Sequence, residues 1–134
     1  KYVTLGVNEH QDIRTVLQYL SKTYQYKRFI LWGRSMGAVA SIMYMYTAKN
    51  NRRVIGLVLD SPFANFPELC DTIASKQGFF VGMFSSWGID AINSMTKKAA
   101  GLDLNKLKPI NMVRRIRVPA IFIGGNRDKI IPLS

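Results

Sequence analysis

One serine in this sequence stands where a nucleophile could be made. Gly33-Arg34-Ser35-Met36-Gly37 fits G-x-S-x-G, directly after the apolar run Phe29-Ile30-Leu31-Trp32 and directly before helix formers from Met36 to about Lys49. Such a pentapeptide arises by chance in a chain this long on the order of a few per cent of the time, so its context carries much of the weight. In a sharp strand-to-helix turn the serine sits at strained backbone angles with its hydroxyl pushed out above the sheet. Glycines two before and two after let neighbouring backbone pass without a Cβ in the way. The helix that begins at Met36 points free N–H groups and its positive dipole end at the same place, which makes the Met36 N–H the candidate oxyanion donor. The plainer alternative is a Gly-bounded turn in which Ser35 merely caps the helix.

A serine needs a base, and the base needs an orienting acid. Asp128 lies in Gly124-Gly125-Asn126-Arg127-Asp128-Lys129-Ile130-Ile131-Pro132, the loop leaving the apolar run Ala120–Ile123. In a parallel sheet, loops after strands gather at one edge, so Ser35 and Asp128 are expected on the same side. A loop aspartate making a local turn is the alternative. Asp60 competes for the acid role and ranks second, because Ser61-Pro62 marks it as a turn former. His10 is the only histidine. It precedes the serine and reads as an exposed residue at a helix start, so Ser35 lacks a visible base. Cys70, the only cysteine, reads as an inert thiol. One cysteine and one histidine exclude an internal disulfide framework and a Cys/His zinc site, and we expect no metal and no cofactor.

Periodicity sets out the helices and strands around these residues. Ile13, Val16, Leu17, Leu20 and Tyr24 fall on one face of a helix from about Glu9 to Tyr24, with Asn8 as N-cap and Glu9 and Asp12 in the first turn. Phe29–Trp32, Val54–Leu59 and Ala120–Ile123 are apolar runs without polar alternation, as expected of parallel strands covered on both faces. Met36–Lys49 is apolar on nearly every side, hence a buried helix, and a right-handed βαβ unit is the default between the first two strands. The path from Pro62 to Val118 is too long for one crossover. It holds a helical stretch from about Phe66 to Ser75, the patch Gly78–Phe84, a helix from about Ile89 to Ala100 and a turn at Leu102–Asn105. The expected class is α/β, with parallel strands, flanking helices and an inserted cap segment at about 62–118.

The chain has 134 residues, 48% hydrophobic, with 19 Lys+Arg against 8 Asp+Glu and a formal charge of +11. That is one domain with a real core, and it excludes disorder. The basic clusters Arg52-Arg53, Lys97-Lys98 and Arg114-Arg115-Ile116-Arg117 are dispersed. They read first as solvated surface, second as contacts to anionic lipid headgroups, and no nucleic-acid motif accompanies them. No run of ~18 apolar residues and no signal-peptide pattern is visible. We therefore expect a cytoplasmic protein, with peripheral membrane contact open and oligomeric state unassigned. Lys1 and Ser134 both read as cut ends.

GRSMGA after FILW, LDSPF at 59–63 and VPAIFIGGNRDKIIP at 118–132 together resemble the α/β-hydrolase superfamily. The nearest branch is the serine aminopeptidase-like and acyl-protein-thioesterase-like hydrolases, to which the opening YVTLGVNEHQDI is also similar. The resemblance covers residues 1–134 as a single, incomplete domain, the middle of a family member, with strands five, six and seven at Phe29–Trp32, Val54–Leu59 and Ala120–Gly124. It implies Ser35 as nucleophile and Asp128 as triad acid, with a second oxyanion donor before Lys1 and a histidine after Ser134. The implied activity is hydrolysis of an ester, thioester or amide of a small molecule or acylated protein, with this chain alone inactive. Gly78–Phe84 and Trp87 would line an acyl pocket, touch lipid or simply pack the cap. The competing reading is a hydrolase-like binding or scaffold module without chemistry. A nucleotide-binding domain is disfavoured, since neither G-x-x-x-x-G-K-[ST] nor G-x-G-x-x-G is present.

Overall fold

The computed structural model describes residues 3–48, 52–76, 94, 97, 103, 107–128 and 131, with backbone alone for 71 and 73–76. Three strands, β1 (Phe29–Arg34), β2 (Val54–Asp60) and β3 (Ala120–Ile123), form a parallel sheet in the order β1-β2-β3. β1 runs two residues beyond its apolar stretch, because the ladder continues through Gly33↔Leu59 and Arg34↔Asp60. A register shift between Phe29 and Ile30 starts that ladder, and β3 joins through Leu57↔Ala120 to Asp60↔Ile123.

The helices are α1 (Glu9–Thr23), α2 (Met36–Thr47), α3 (Phe66–Lys76) and the short α4 (Pro109–Val113). α2 is the hub. Every residue from Ala38 to Tyr44 is buried, as its all-round apolar sequence requires. One side packs Ala38, Ile42 and Tyr44 with Leu17 of α1 and with Val54, Leu57 and Leu59 of β2. The other packs Val39 and Met43 with Phe63 and Leu107. Each fully buried aliphatic side chain here contributes about 1.5–3 kcal/mol relative to exposure.

Two expectations about α1 need correction. Leu17 is buried and Ile13 packs beside it, but Val16 is 54% and Tyr24 53% exposed, so the inward stripe is narrower than the periodicity suggested. Among the described residues α1 packs chiefly on α2, and the flanks of its stripe stay in water. Asn8 does not cap the helix through its side chain, because its own backbone is already helical (φ −95°, ψ −28°). Glu9 does the tying instead. Its carboxylate accepts the Thr4 N–H (2.8 Å), the Thr4 hydroxyl (2.7 Å) and the Gly6 N–H (2.9 Å). Burial pushes this carboxyl up, yet those hydrogen bonds together outweigh it and hold it below the ordinary glutamate value. The loop so fixed places Gly6, at φ +101°, against α2, where a Cβ would stand 2.9 Å from the Ala40 nitrogen.

Among the described residues the strands are not covered on both faces. Leu31, Gly33, Leu57 and Leu59 point to the side where α1 and α2 lie, and Leu57 and Leu59 are buried there. The opposite face carries Ile30 (63% exposed), Trp32 (77%), Ile121 (62%) and Ile123 (45%). α1 enters the sheet and α2 crosses from β1 to β2 on the same side, so both helices serve one face.

α3 forms where helical periodicity was expected. Gly78–Phe84, Trp87, the Ile89–Ala100 helix and the Leu102–Asn105 turn lie outside the described residues, apart from Asp103 and the helical Ser94 and Lys97. The two ends of the 62–118 excursion meet. Phe66 N–H donates to Leu107 O (3.1 Å) and Ile110 N–H to Ala64 O (3.1 Å), so the chain leaves and returns at one point. Among the described residues no helix is long and apolar enough to cross a membrane.

Candidate active site

Ser35 follows the last residue of β1 and precedes the first of α2. Its φ of 50° and ψ of −116° are a conformation side chains rarely adopt, costing about 1–3 kcal/mol. Hydrogen bonds on both sides hold it. The Ser35 N–H donates to Asp60 O at 2.8 Å, and the Ser35 carbonyl accepts from Ala38 N–H (3.0 Å) and Val39 N–H (3.1 Å). The hydroxyl makes no capping hydrogen bond to α2, and the residue is exposed. Ser35 therefore does not serve as a side-chain cap. Met36 opens the helix as its first residue, ahead of the first N–H groups that bond back to the Ser35 carbonyl.

The two glycines of the motif are not equivalent. A Cβ on Gly33 would lie 2.3 Å from the Gly37 carbonyl carbon and oxygen and 2.5 Å from the Ala38 nitrogen. Gly33 is bare because the first turn of α2 crosses directly over it. A Cβ on Gly37 would meet nothing within 4 Å among the described residues, against the expectation that both glycines make room.

A second serine, outside the G-x-S-x-G motif, repeats the geometry. Ser61 follows β2 at φ 49°, and its N–H donates to Ile123 O at 2.8 Å. Its hydroxyl, unlike that of Ser35, donates to Asp60 Oδ1 at 2.9 Å. Asp60 Oδ2 also lies 3.7 Å from Nε of Arg34, whose side chain is 82% exposed. Asp60 is thus at the sheet edge beside Ser35, with its carboxylate turned to Ser61 and Arg34. The run Asp60-Ser61-Pro62, whose aspartate reads as a turn former and second-ranked acid, was the available signal for this second turn.

Asp128 lies on the loop after β3, at the same carboxyl edge. Its N–H donates to Gly125 O (3.0 Å), and its Oδ1 accepts from Ile131 N–H (3.0 Å), so one carboxylate oxygen shapes its own loop. His10 is on α1, and its Nδ1 donates to Val7 O, which ties the ring to the loop before that helix. Cys70 is buried on α3. Among the described residues no group of three His, Cys, Asp or Glu could hold a metal ion. Next to the edge, Pro62, Phe63, Pro109, Ile110 and Phe122 line a mostly apolar cleft of about 380 Å³, with Arg114 also in its wall.

The fold recurs in solved structures. An esterase of Pyrococcus furiosus superposes with a TM-score of 0.70 at 23% identity, over 99% of this chain and 47% of the esterase. An acylaminoacyl peptidase of Pyrococcus horikoshii gives 0.62 at 14% identity, over 96% of this chain and 19% of the peptidase. Among curated proteins, protein bem46 of Schizosaccharomyces pombe is 25% identical over 129 residues, covering 90% of this chain and 35% of bem46. The α/β-hydrolase domain-containing protein WAV2 of Arabidopsis thaliana is 22% identical over 125 residues, covering 91% of this chain and 37% of WAV2. The chain thus spans little more than a third of the curated relatives it matches, and its three-stranded sheet with flanking helices is part of an α/β-hydrolase fold. The model of the serine aminopeptidase S33 hydrolases matches residues 8–110, well over half of the sequence and with Ser35 inside it. On that match, the chain belongs to the serine aminopeptidase S33 family.

Proposed function

We propose that the intact protein is a serine hydrolase that cleaves an ester, thioester or amide through an acyl-enzyme on Ser35. The observation that carries this is the Ser35 turn itself: an exposed residue at strained φ, not used for capping, at the start of a twelve-residue helix buried from Ala38 to Tyr44. In this reading Oγ bonds to the substrate carbonyl carbon as its proton passes to an imidazole. The oxyanion so formed rests on the Met36 N–H. The bond to the leaving oxygen, sulfur or nitrogen then breaks, and that atom takes the proton. Water repeats the sequence, releasing the acid and restoring Ser35. Asp128 orients the imidazole, which comes from a histidine outside these 134 residues, since His10 is held by Val7. The cleft at Phe63 and Phe122 receives the acyl chain of a small molecule or acylated protein, with segment 62–118 as its cap.

A fluorophosphonate probe reacts with a serine that a base has activated. Applied to the intact protein, it should label the peptide containing Ser35, and Ser35→Ala should abolish labelling. A folded intact protein without labelling would instead make this a hydrolase-like binding module.

A further inference from the structure

The edge of the sheet opposite Ser35 carries a cleft of about 630 Å³, within the range of small-molecule sites. Its rim holds three guanidiniums from two stretches of the chain, Arg52 from one and the neighbours Arg115 and Arg117 from the other. Arg52 comes from the turn before β2, Arg115 from just after α4, and Arg117 from just before β3. Its floor is apolar, with Val54 and Val118 at the amino ends of β2 and β3 and Tyr46 from the last turn of α2. The Arg115 guanidinium lies 5.2 Å from the Tyr46 ring centroid, an arrangement that holds a cation in place without neutralising it.

Charge decides what such a cleft takes. α2 ends here with no basic residue in its last turn, so its carboxyl end contributes about half a negative charge. Against three guanidiniums that leaves a surplus of about +2.5. No Asp or Glu lines the cleft among the described residues. A phosphomonoester brings about −1.5 to −2 at pH 7, a better match than a carboxylate, and guanidinium forks bind its oxygens in pairs. The apolar floor adds a second requirement, a hydrocarbon or aromatic body next to the phosphate.

We propose that this cleft binds a phosphate monoester carried on an apolar body, either a soluble amphiphile or the headgroup of an anionic lipid. The proposal does not rest on the hydrolase reading, since it uses no residue of the Ser35 edge. The test is calorimetry on the intact protein with dodecyl phosphate below its micelle concentration, with inorganic phosphate and dodecanol as single-feature controls. Dodecyl phosphate should bind at least tenfold more tightly than either control, and Arg52→Gln with Arg117→Gln should remove at least tenfold of that affinity. Arg117→Lys keeps the charge but loses the fork and should lose a smaller part, which separates recognition from a failure to fold. Flotation with phosphatidylcholine vesicles, with and without phosphatidic acid, distinguishes the sources. Capture by the phosphatidic acid vesicles assigns the headgroup, and binding of the monomeric amphiphile alone assigns a soluble ester. Equal affinity for dodecyl phosphate and inorganic phosphate, or affinity unchanged in the double variant, overturns the proposal.

Discussion

Ser35 and Ser61 occupy the same place after neighbouring parallel strands. Both have φ near +50°, and both donate their N–H at 2.8 Å to a carbonyl of the next strand. The ladder that sets the sheet thus runs one residue past each strand and forces both serines into the strained conformation. The segments after them differ. Ser35 opens a helix of twelve residues, buried from Ala38 to Tyr44, so it stands beside the free N–H groups of a helix start. Ser61 is succeeded by Pro62 and a loop, and its hydroxyl is spent on Asp60. Under the function proposed above, backbone strain alone therefore does not mark the nucleophile. The helix behind the serine and an uncommitted capping role distinguish the two.

The largest test of that contrast is functional. In the intact protein Ser35→Ala should lower ester turnover by about 10³-fold or more, while Ser61→Ala should change it only a few-fold. Loss of turnover in Ser61→Ala alone would reverse the two roles. Next comes the crossing at the elbow. Gly33→Ala drives a Cβ into backbone at 2.3 Å and should cost about 3 kcal/mol in denaturant unfolding. Gly37→Ala meets nothing within 4 Å among the described residues and should stay within about 0.5 kcal/mol.

A third positive-φ turn, Leu5-Gly6, is held by a carboxylate rather than a ladder. Glu9→Ala leaves the buried Thr4 hydroxyl and N–H without that acceptor and should cost about 1–3 kcal/mol. The sign of its pH dependence is fixed. A carboxyl whose folded pKa is lowered stabilises above the ordinary glutamate value of about 4.3. That contribution is lost as the pH falls through the lower folded value. Melting temperatures measured downward from neutral pH should show this loss in the parent, and Glu9→Ala should lack that part of the slope. The smallest effect is relief of strain. Ser35→Gly should gain about 1 kcal/mol of stability, and Ser61→Gly should gain less, because it also gives up the hydroxyl bond to Asp60.

Much of this was legible in residue order because it depends on neighbours in sequence. Phe29–Trp32, Val54–Leu59 and Ala120–Ile123 are strands because apolar runs bounded by turn residues leave few other options, and α2 is buried from Ala38 to Tyr44 because it has no polar side there. The Ser35 turn was legible for the same reason: strand, glycine, serine and helix are consecutive. The features that escaped depend on how groups meet in space, whether a few residues apart or across the sheet. Residue types alone do not say that the Glu9 carboxylate, bonded to Thr4 and Gly6, would displace Asn8 at the start of α1. Nor does spacing say that Gly33 sits under Gly37 while Gly37 sits under nothing described. Arg34 reaches Asp60, and Ser61 mirrors Ser35, only because the ladder sets the ends of β1 and β2 side by side. Apolar composition tells which surfaces a strand is suited to bury, and not which neighbour buries them, so the exposure of Ile30 and Ile121 had no signature.

That face has an optical consequence. Trp32, one of two tryptophans in the chain, stands on it with 77% of its surface in water. An indole so placed emits at long wavelength and is open to dissolved iodide. Once protein is laid over the sheet, the emission moves to shorter wavelength and the quencher loses its access. With Trp87 replaced by Phe, a single spectrum becomes a gauge of whether anything rests against β1, and the colour of Trp32 reports it as partners are added.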